Sequence, residues 1–151
     1  MIFIDSDVFL IDLIFKGDKR YNENKNFLSH RLVEKKSTSV FNLLEICGTA
    51  SFNLSMTDIE DLFKDFHHQF DLKILYPATD TIPARIYLSS FIKTTMDKIK
   101  TKMNYQDAVI LNIAEEYNIS YFITWNTKHF KDRTHLEVMN PKQFFETKGD
   151  D

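Results

Sequence analysis

Apolar residues along the chain switch repeatedly between continuous short runs and recurrence at every third or fourth position, and the switches mark out its elements. Met1 to Ile4 is an apolar run closed by Asp5-Ser6-Asp7, after which Val8, Leu10, Ile11 and Ile14 recur at helical spacing, predicting a strand that feeds a helix. Gly17 to Asn24 is polar and reads as a loop, and Lys25 to Lys36 reads as a helix carrying Phe27, Leu28, Leu32 and Val33 at helical offsets. Ser37-Thr38-Ser39 is a short β-capable stretch before Ser39 or Asn42 opens a helix through Cys47 and beyond. Thr57 to Phe70 is amphipathic, with Thr57 as cap and Glu60 three residues on.

Leu72 to Leu75, before Pro77, predicts another strand, and Thr81 to Lys102 a long helix with Pro83 in its first turn. Asn104 to Tyr117 follows as a helix, Tyr121 to Thr124 as a buried strand, and Leu136 to Met139, before Pro141, as the last. Strands that alternate with helical stretches imply an α/β fold with a mainly parallel sheet. No repeat or linker divides the chain, so residues 1–147 read as one domain and Lys148 to Asp151 as a frayed tail.

Composition narrows the function classes. The chain has 151 residues, 43% hydrophobic, with 14 Phe and 6 Tyr, which is too apolar for a disordered protein. Three Gly and three Pro are too few for a collagen or a β-domain built from many tight turns. The lone Cys47 excludes an intramolecular disulfide and a cysteine-based zinc site, and fits a reducing cytosol. The longest apolar run, Val8 to Phe15, is interrupted by Asp12 and falls short of the ~18 residues of a membrane span. The N-terminus lacks the features of a signal peptide, so a cytoplasmic protein is expected. A net charge of −3 opposes sequence-blind binding to nucleic acid over the whole surface, while leaving room for a local basic groove.

Four polar residues stand at chemically suggestive places. Asp5 lies between a strand and a helix, where open α/β sheets receive ligands, although Asp5 or Ser6 could simply cap that helix. Glu45 projects away from a face made by Val40, Leu43, Leu44, Cys47 and Ala50; it either meets solvent or, beside Phe41, Gly48 and Phe52, points into a pocket. Asp107 occupies the third position of a helix capped by Asn104, where an acid is also stabilised by the helix end alone. Asn126 follows a strand and could be a cap. Taken together, three carboxylates in one cleft repel one another unless a cation joins them, and oxygen donors suit Mg²⁺ or Mn²⁺.

These residues resemble the PIN-domain family of metal-dependent ribonucleases, especially the VapC-type toxins of toxin–antitoxin pairs. The resemblance spans nearly the whole chain through Ile2-Phe3-Ile4-Asp5-Ser6-Asp7, Asn42-Leu43-Leu44-Glu45-Ile46, Tyr105 to Ala114, and Ile123-Thr124-Trp125-Asn126-Thr127-Lys128-His129-Phe130. It implies a three-layer α/β/α sandwich with Asp5, Glu45 and Asp107 as the acidic site for Mg²⁺ or Mn²⁺, and Ser6 and Thr124 as supporting hydrogen-bonding groups. Many members carry Asp where this chain has Asn126, so one tightly held metal is expected rather than two. The resemblance also implies in-line hydrolysis of RNA to 5′-phosphate and 3′-hydroxyl ends, a homodimer, and a small antitoxin whose tail enters the acidic groove. Some of Phe41, Phe52, Phe63, Phe66 and Phe91 would then serve an interface.

Other residues add less. None of the five histidines forms a helical metal-binding pair; His129 is expected to pack or hold a loop, and Trp125 to pack between strand and helix. Lys100, Lys102 and Lys128 flank the acidic segments and are expected to follow an RNA backbone. Two other functions compete. Asp5-x-Asp7 looks like the nucleophile motif of haloacid-dehalogenase-like phosphatases, with Asp5 phosphorylated and Asp7 as acid/base, though the later Gly-Asp-x-x-x-Asp motif is missing. Asn126 also permits a non-catalytic PIN-like module that binds RNA or protein.

Overall fold

The computed structural model of the chain describes residues 1–149 except 31, 34, 80 and 81. Five short strands form its centre: β1 (Ile2–Ile4), β2 (Lys36–Ser39), β3 (Lys73–Leu75), β4 (Tyr121–Ile123) and β5 (Glu137–Met139). They lie in the order β3-β2-β1-β4-β5, and every pairing is parallel. Eight helices complete the described chain: α1 (Ser6–Leu13), α2 (Tyr21–Ser29), α3 (Val40–Ala50), α4 (Met56–Gln69), α5 (Ala84–Lys100), α6 (Tyr105–Glu115), α7 (Thr127–Phe130) and α8 (Pro141–Lys148).

Strand periodicity sorts the core into two. Ile2, Ile4, Ile123 and Met139 face a cluster with Val8, Phe9, Phe27, Leu43, Ile46, Phe66 and Phe144. Phe3, Phe122 and Leu75 turn to the other side, against Leu111, Ile113 and Phe130. Phe3 and Phe122, opposite each other in register, stack at 5.1 Å and 12°. The sheet therefore lies between two helical layers, and the α/β/α expectation holds with a sheet that is wholly parallel among the described strands. Polar β2 occupies an interior position because its side chains are satisfied by the neighbouring backbone: Ser37 Oγ donates to Ile2 O at 2.9 Å and Thr38 Oγ1 to Ile4 O at 2.8 Å.

Several boundaries differ from expectation. The stretch read as a loop up to Asn24 is helical from Tyr21, and α2 ends at Ser29 instead of Lys36. The earlier start reflects Asn24, a polar residue that belongs to the buried face because its Nδ2 donates to Val8 O at 2.8 Å. Helix α4 is capped by Ser55, with Asp58 reaching back in the role foreseen for Thr57 and Glu60. Pro83 stands just before α5, which runs from Ala84 to Lys100; Thr81, its expected start, lies outside the described residues. On α3, Leu44 is 52% exposed and Ile46 takes the core position.

Helices α7 and α8 have no counterpart among the expected elements. Asn140 and Gln143 form a capping box around Pro141 at the start of α8. Lys148, expected in a tail, closes α8 with its Nζ 4.8 Å from the Tyr121 ring centre; Asp150 and Asp151 lie outside the described residues. Among the described residues no helix is long and apolar enough to cross a membrane.

Candidate acidic site

Neighbouring parallel strands β1 and β4 end at the same edge, where the chain leaves β1 toward β2 and β4 toward β5, in opposite directions, and this is the edge at which such sheets bind ligands. Asp5 emerges there, its backbone N–H donating to Ile123 O at 2.9 Å. It does cap α1, since Oδ1 accepts from Ser6 N at 2.8 Å. Capping is only part of its role: Oδ1 also accepts from Asn42 Nδ2 at 3.0 Å, and Oδ2 from Thr124 Oγ1 at 2.9 Å. One carboxylate thus joins the ends of β1 and β4 to α3.

Glu45 enters the same network through Ser6, whose Oγ donates to Glu45 Oε2 at 2.6 Å while accepting from Asn42 Nδ2 at 2.8 Å. Thr124 lies within reach of two acids, Asp5 Oδ2 and, at 3.1 Å, Asp7 Oδ2, with a single hydroxyl hydrogen to give. Asp7 Oδ2 further accepts the backbone N–H groups of Trp125 at 2.9 Å and Asn126 at 3.1 Å, leaving its buried Oδ1 without a partner.

Burial and like charge act in one direction on these acids. Burial, then the charges of Asp7 and Glu45, push the Asp5 carboxyl well above the usual range, against the opposing bonds from Ser6 and Thr124. Burial pushes Asp7 up to about 6, although Thr124, Trp125, Asn126 and Arg20 favour its ionised form. Burial and the nearby charge of Asp107 raise Glu45, opposed by Ser6. Glu45 bonds the residue next to Asp5 and lines one cleft with Tyr105 and Gln106, the residues that precede Asp107.

Asp107 occupies the third position of α6, as expected. Asn104 Oδ1 accepts from its backbone N at 2.9 Å, and Asn104 Nδ2 donates to its Oδ2 at 2.7 Å. The same Oδ2 is 3.1 Å from His129 Nδ1, so the histidine holds the α6–α7 junction against an acid. Asn126 precedes α7, but its side chain makes no capping bond. Beside Glu45 opens a cleft of about 450 Å³ lined by Phe41, Gly48, Phe52 and Tyr105 among others, the pocket-facing alternative for this glutamate.

The basic residues lie at the surface. Lys100 ends α5 and contacts Asp97 at 2.8 Å, Lys102 is exposed in the turn leading to α6, and Lys128 is exposed on α7. Trp125 packs against the core, its Nε1 donating to Asn24 Oδ1 at 2.7 Å and the Arg20 guanidinium lying 5.5 Å from its ring centre.

The donor types are those a hard divalent cation takes: carboxylate oxygens, with like charge adding to burial in raising Asp5 and Glu45. As the side chains stand, no three His, Cys, Asp or Glu among the described residues form a group that could hold a metal ion. Sequence reasoning missed Asn42 as a contact of Asp5 and Ser6, and weighed Asp7 only as a phosphatase acid. The Asn42 signal was its place one turn before Glu45; Asp7 gave none, because its partners, the Thr124 hydroxyl and two backbone N–H groups, lie 117 to 119 positions away.

No family model matches the chain, and no curated protein does. Solved structures do match. A chain of the FitAcB crystal structure from Neisseria gonorrhoeae is 16% identical at a TM-score of 0.63, with 94% of this chain and 99% of that one covered. A chain of VapBC-1 from nontypeable Haemophilus influenzae is 18% identical at 0.62, with 94% and 99% covered. A chain of a toxin-antitoxin complex from Klebsiella pneumoniae is 17% identical at 0.57, with 93% and 98% covered. At these identities the likeness is one of fold: the chain shares the α/β architecture of these structures over more than nine-tenths of its length.

Proposed function

We propose that the chain is a Mg²⁺- or Mn²⁺-dependent endoribonuclease acting as the toxin of a toxin–antitoxin pair. The observation that carries this reading is the Ser6 bridge: Glu45, on α3, is held 2.6 Å from a hydroxyl adjacent to Asp5, at the carboxyl edge of the sheet, with Asp107 near enough to raise its proton affinity. The fold shared with a toxin-antitoxin complex supports the biological setting.

Asp5, Glu45 and Asp107 would hold the cation, with the Asn126 amide oxygen at the rim. When bound, the cation lowers the pKa of water and stabilises charge developing at phosphorus. Ser6 and Thr124 orient two of the acids through hydrogen bonds, and Lys100, Lys102 and Lys128 draw the RNA backbone toward the edge. The buried setting of Asp5 excludes bulk water from one side of the reaction. Asp7 serves as a tie for the β4–α7 loop, which takes it away from the acid/base role of a phosphatase. A homodimer and a small antitoxin, in a cytoplasmic setting, complete the proposal.

RNA incubated with Mn²⁺ and the purified chain is expected to yield 5′-phosphate ends, with cleavage abolished by EDTA and by Asp107→Asn. Cleavage undiminished in EDTA rejects the mechanism. The lack of a three-acid group among the described residues, together with neutral Asn126, favours a second reading, a module that binds RNA without cutting it. Mn²⁺-independent RNA binding with no cleavage would establish that reading instead.

A further inference from the structure

We infer that Asn42 is a positioning residue that sets the spacing of Asp5 and Glu45 for a shared divalent cation, an inference that rests on the acidic site proposed above. Asn42 is fully buried, and its carboxamide is used on both sides. Oδ1 accepts from Ser39 N at 3.2 Å and from Ser39 Oγ at 2.5 Å. Nδ2 donates to Asp5 Oδ1 at 3.0 Å and to Ser6 Oγ at 2.8 Å. Both amide hydrogens and both oxygen lone pairs therefore have partners, which is the whole capacity of the group.

The polarity of this network is fixed. Turning the amide over would place its oxygen against the Asp5 carboxylate, acceptor against acceptor, so the nitrogen must face Asp5. Ser6 Oγ then accepts from Asn42 and keeps its own hydrogen for Glu45 Oε2. Donation runs one way, from Ser39 to Asn42 to Ser6 to Glu45, and ends on a carboxylate. Asn42 also lies one helical turn before Glu45 on α3, so its bond to Asp5 fixes that helix against the end of β1. Neutral donors thereby hold two mutually repelling acids in place before any cation arrives. Outer partners of this kind, when removed, typically cost metal sites 10–100-fold in affinity or activity.

The test uses the full chain and Mn²⁺ as probe. Calorimetric titration is run on wild type, Asn42→Ala, the volume-matched Asn42→Leu, and, as a control, Ser55→Ala, which removes the cap of α4 and touches none of the acids. Affinity is expected to fall about 10-fold or more in the Asn42 variants and to stay within about twofold in Ser55→Ala. A metal-free cycle of urea midpoints for Asn42→Leu and Glu45→Gln provides a second readout, and the Glu45→Gln shift is expected to shrink by half or more once Asn42 is gone. A wild type that takes up no Mn²⁺ overturns the acidic-site reading itself. Folded Asn42 variants that bind as wild type does, or an additive cycle, overturn the positioning role.

Discussion

Asp7 Oδ2 accepts the backbone N–H of Trp125 at 2.9 Å, tying the first turn of α1 to the loop that leaves β4. The two residues are 118 positions apart, and the bond fixes the segment that presents Thr124 and Asn126 at the edge of the sheet. It comes at a cost, because the other oxygen of the same carboxylate is buried without a partner.

That cost depends on pH. Burial holds the folded-state pKa of Asp7 at about 6, above the value of 3.8 for an exposed group. The folded chain thus binds the proton more tightly than the unfolded chain, so Asp7 lowers stability progressively as pH rises from about 4 to 6 and by a constant amount above that. Asp7→Asn keeps an oxygen for Trp125 and Asn126 and removes the charge. In metal-free protein it is expected to be more stable than wild type by roughly 1–3 kcal/mol at pH 8, with the advantage gone at pH 4. Urea unfolding at a series of pH values measures this, and a difference that does not change with pH sinks the assignment.

Removing an acid from the site should matter most once a cation is present. Asp107→Asn relieves repulsion on Glu45 but also alters the contacts of its Oδ2 with Asn104 and His129, so the melting temperature of metal-free protein is expected to move by no more than a few degrees. Wild type should gain stability as Mn²⁺ is added, because a ligand that binds only the folded state stabilises it by mass action. The variant should lose most of that response. Equal Mn²⁺-dependent shifts in both proteins would show that Asp107 holds no cation.

Much of this arrangement could be read from the sequence because its determinants are local. Asp5 follows an apolar run and Asp107 follows a capping Asn104, so strand end and helix start were visible in a few residues each. Asn24, Asn42 and Asp7 were not readable in this way. Each is a polar residue in a buried or half-buried position whose partners, Val8 O, Asp5 Oδ1 and Trp125 N, come from other elements. A polar letter looks solvated until the tertiary partner that satisfies it is known. The same blindness started α2 too late.

The basic residues make a claim about salt. If Lys100 and Lys102 contact RNA phosphates, reversing both to Glu should weaken binding and reduce the dependence of log affinity on log salt by up to about 1.4, the value for two full contacts to a single strand. Lys100 already contacts Asp97, so Lys102 is expected to account for the larger part. Fluorescence anisotropy with a labelled single-stranded RNA between 50 and 200 mM salt, a range in which phosphate contacts dominate the response, provides the measurement. An unchanged slope removes these residues from the RNA path.

The phenylalanines divide into two kinds that composition could not separate. Phe66 is fully buried, 5.0 Å from Phe9 and 4.8 Å from Phe70 between ring centres, so Phe66→Ala leaves a cavity where α4 meets α1 and should cost about 3–5 kcal/mol. Phe52 is 88% exposed at the cleft beside Glu45 and supports no core contact of that kind. Phe52→Ser should therefore change stability by no more than about 0.5 kcal/mol. Paired urea titrations decide the matter: a large loss in Phe52→Ser would mean that this ring is covered within the free chain, and a small loss in Phe66→Ala would mean that α4 does not depend on the aromatic cluster beneath it.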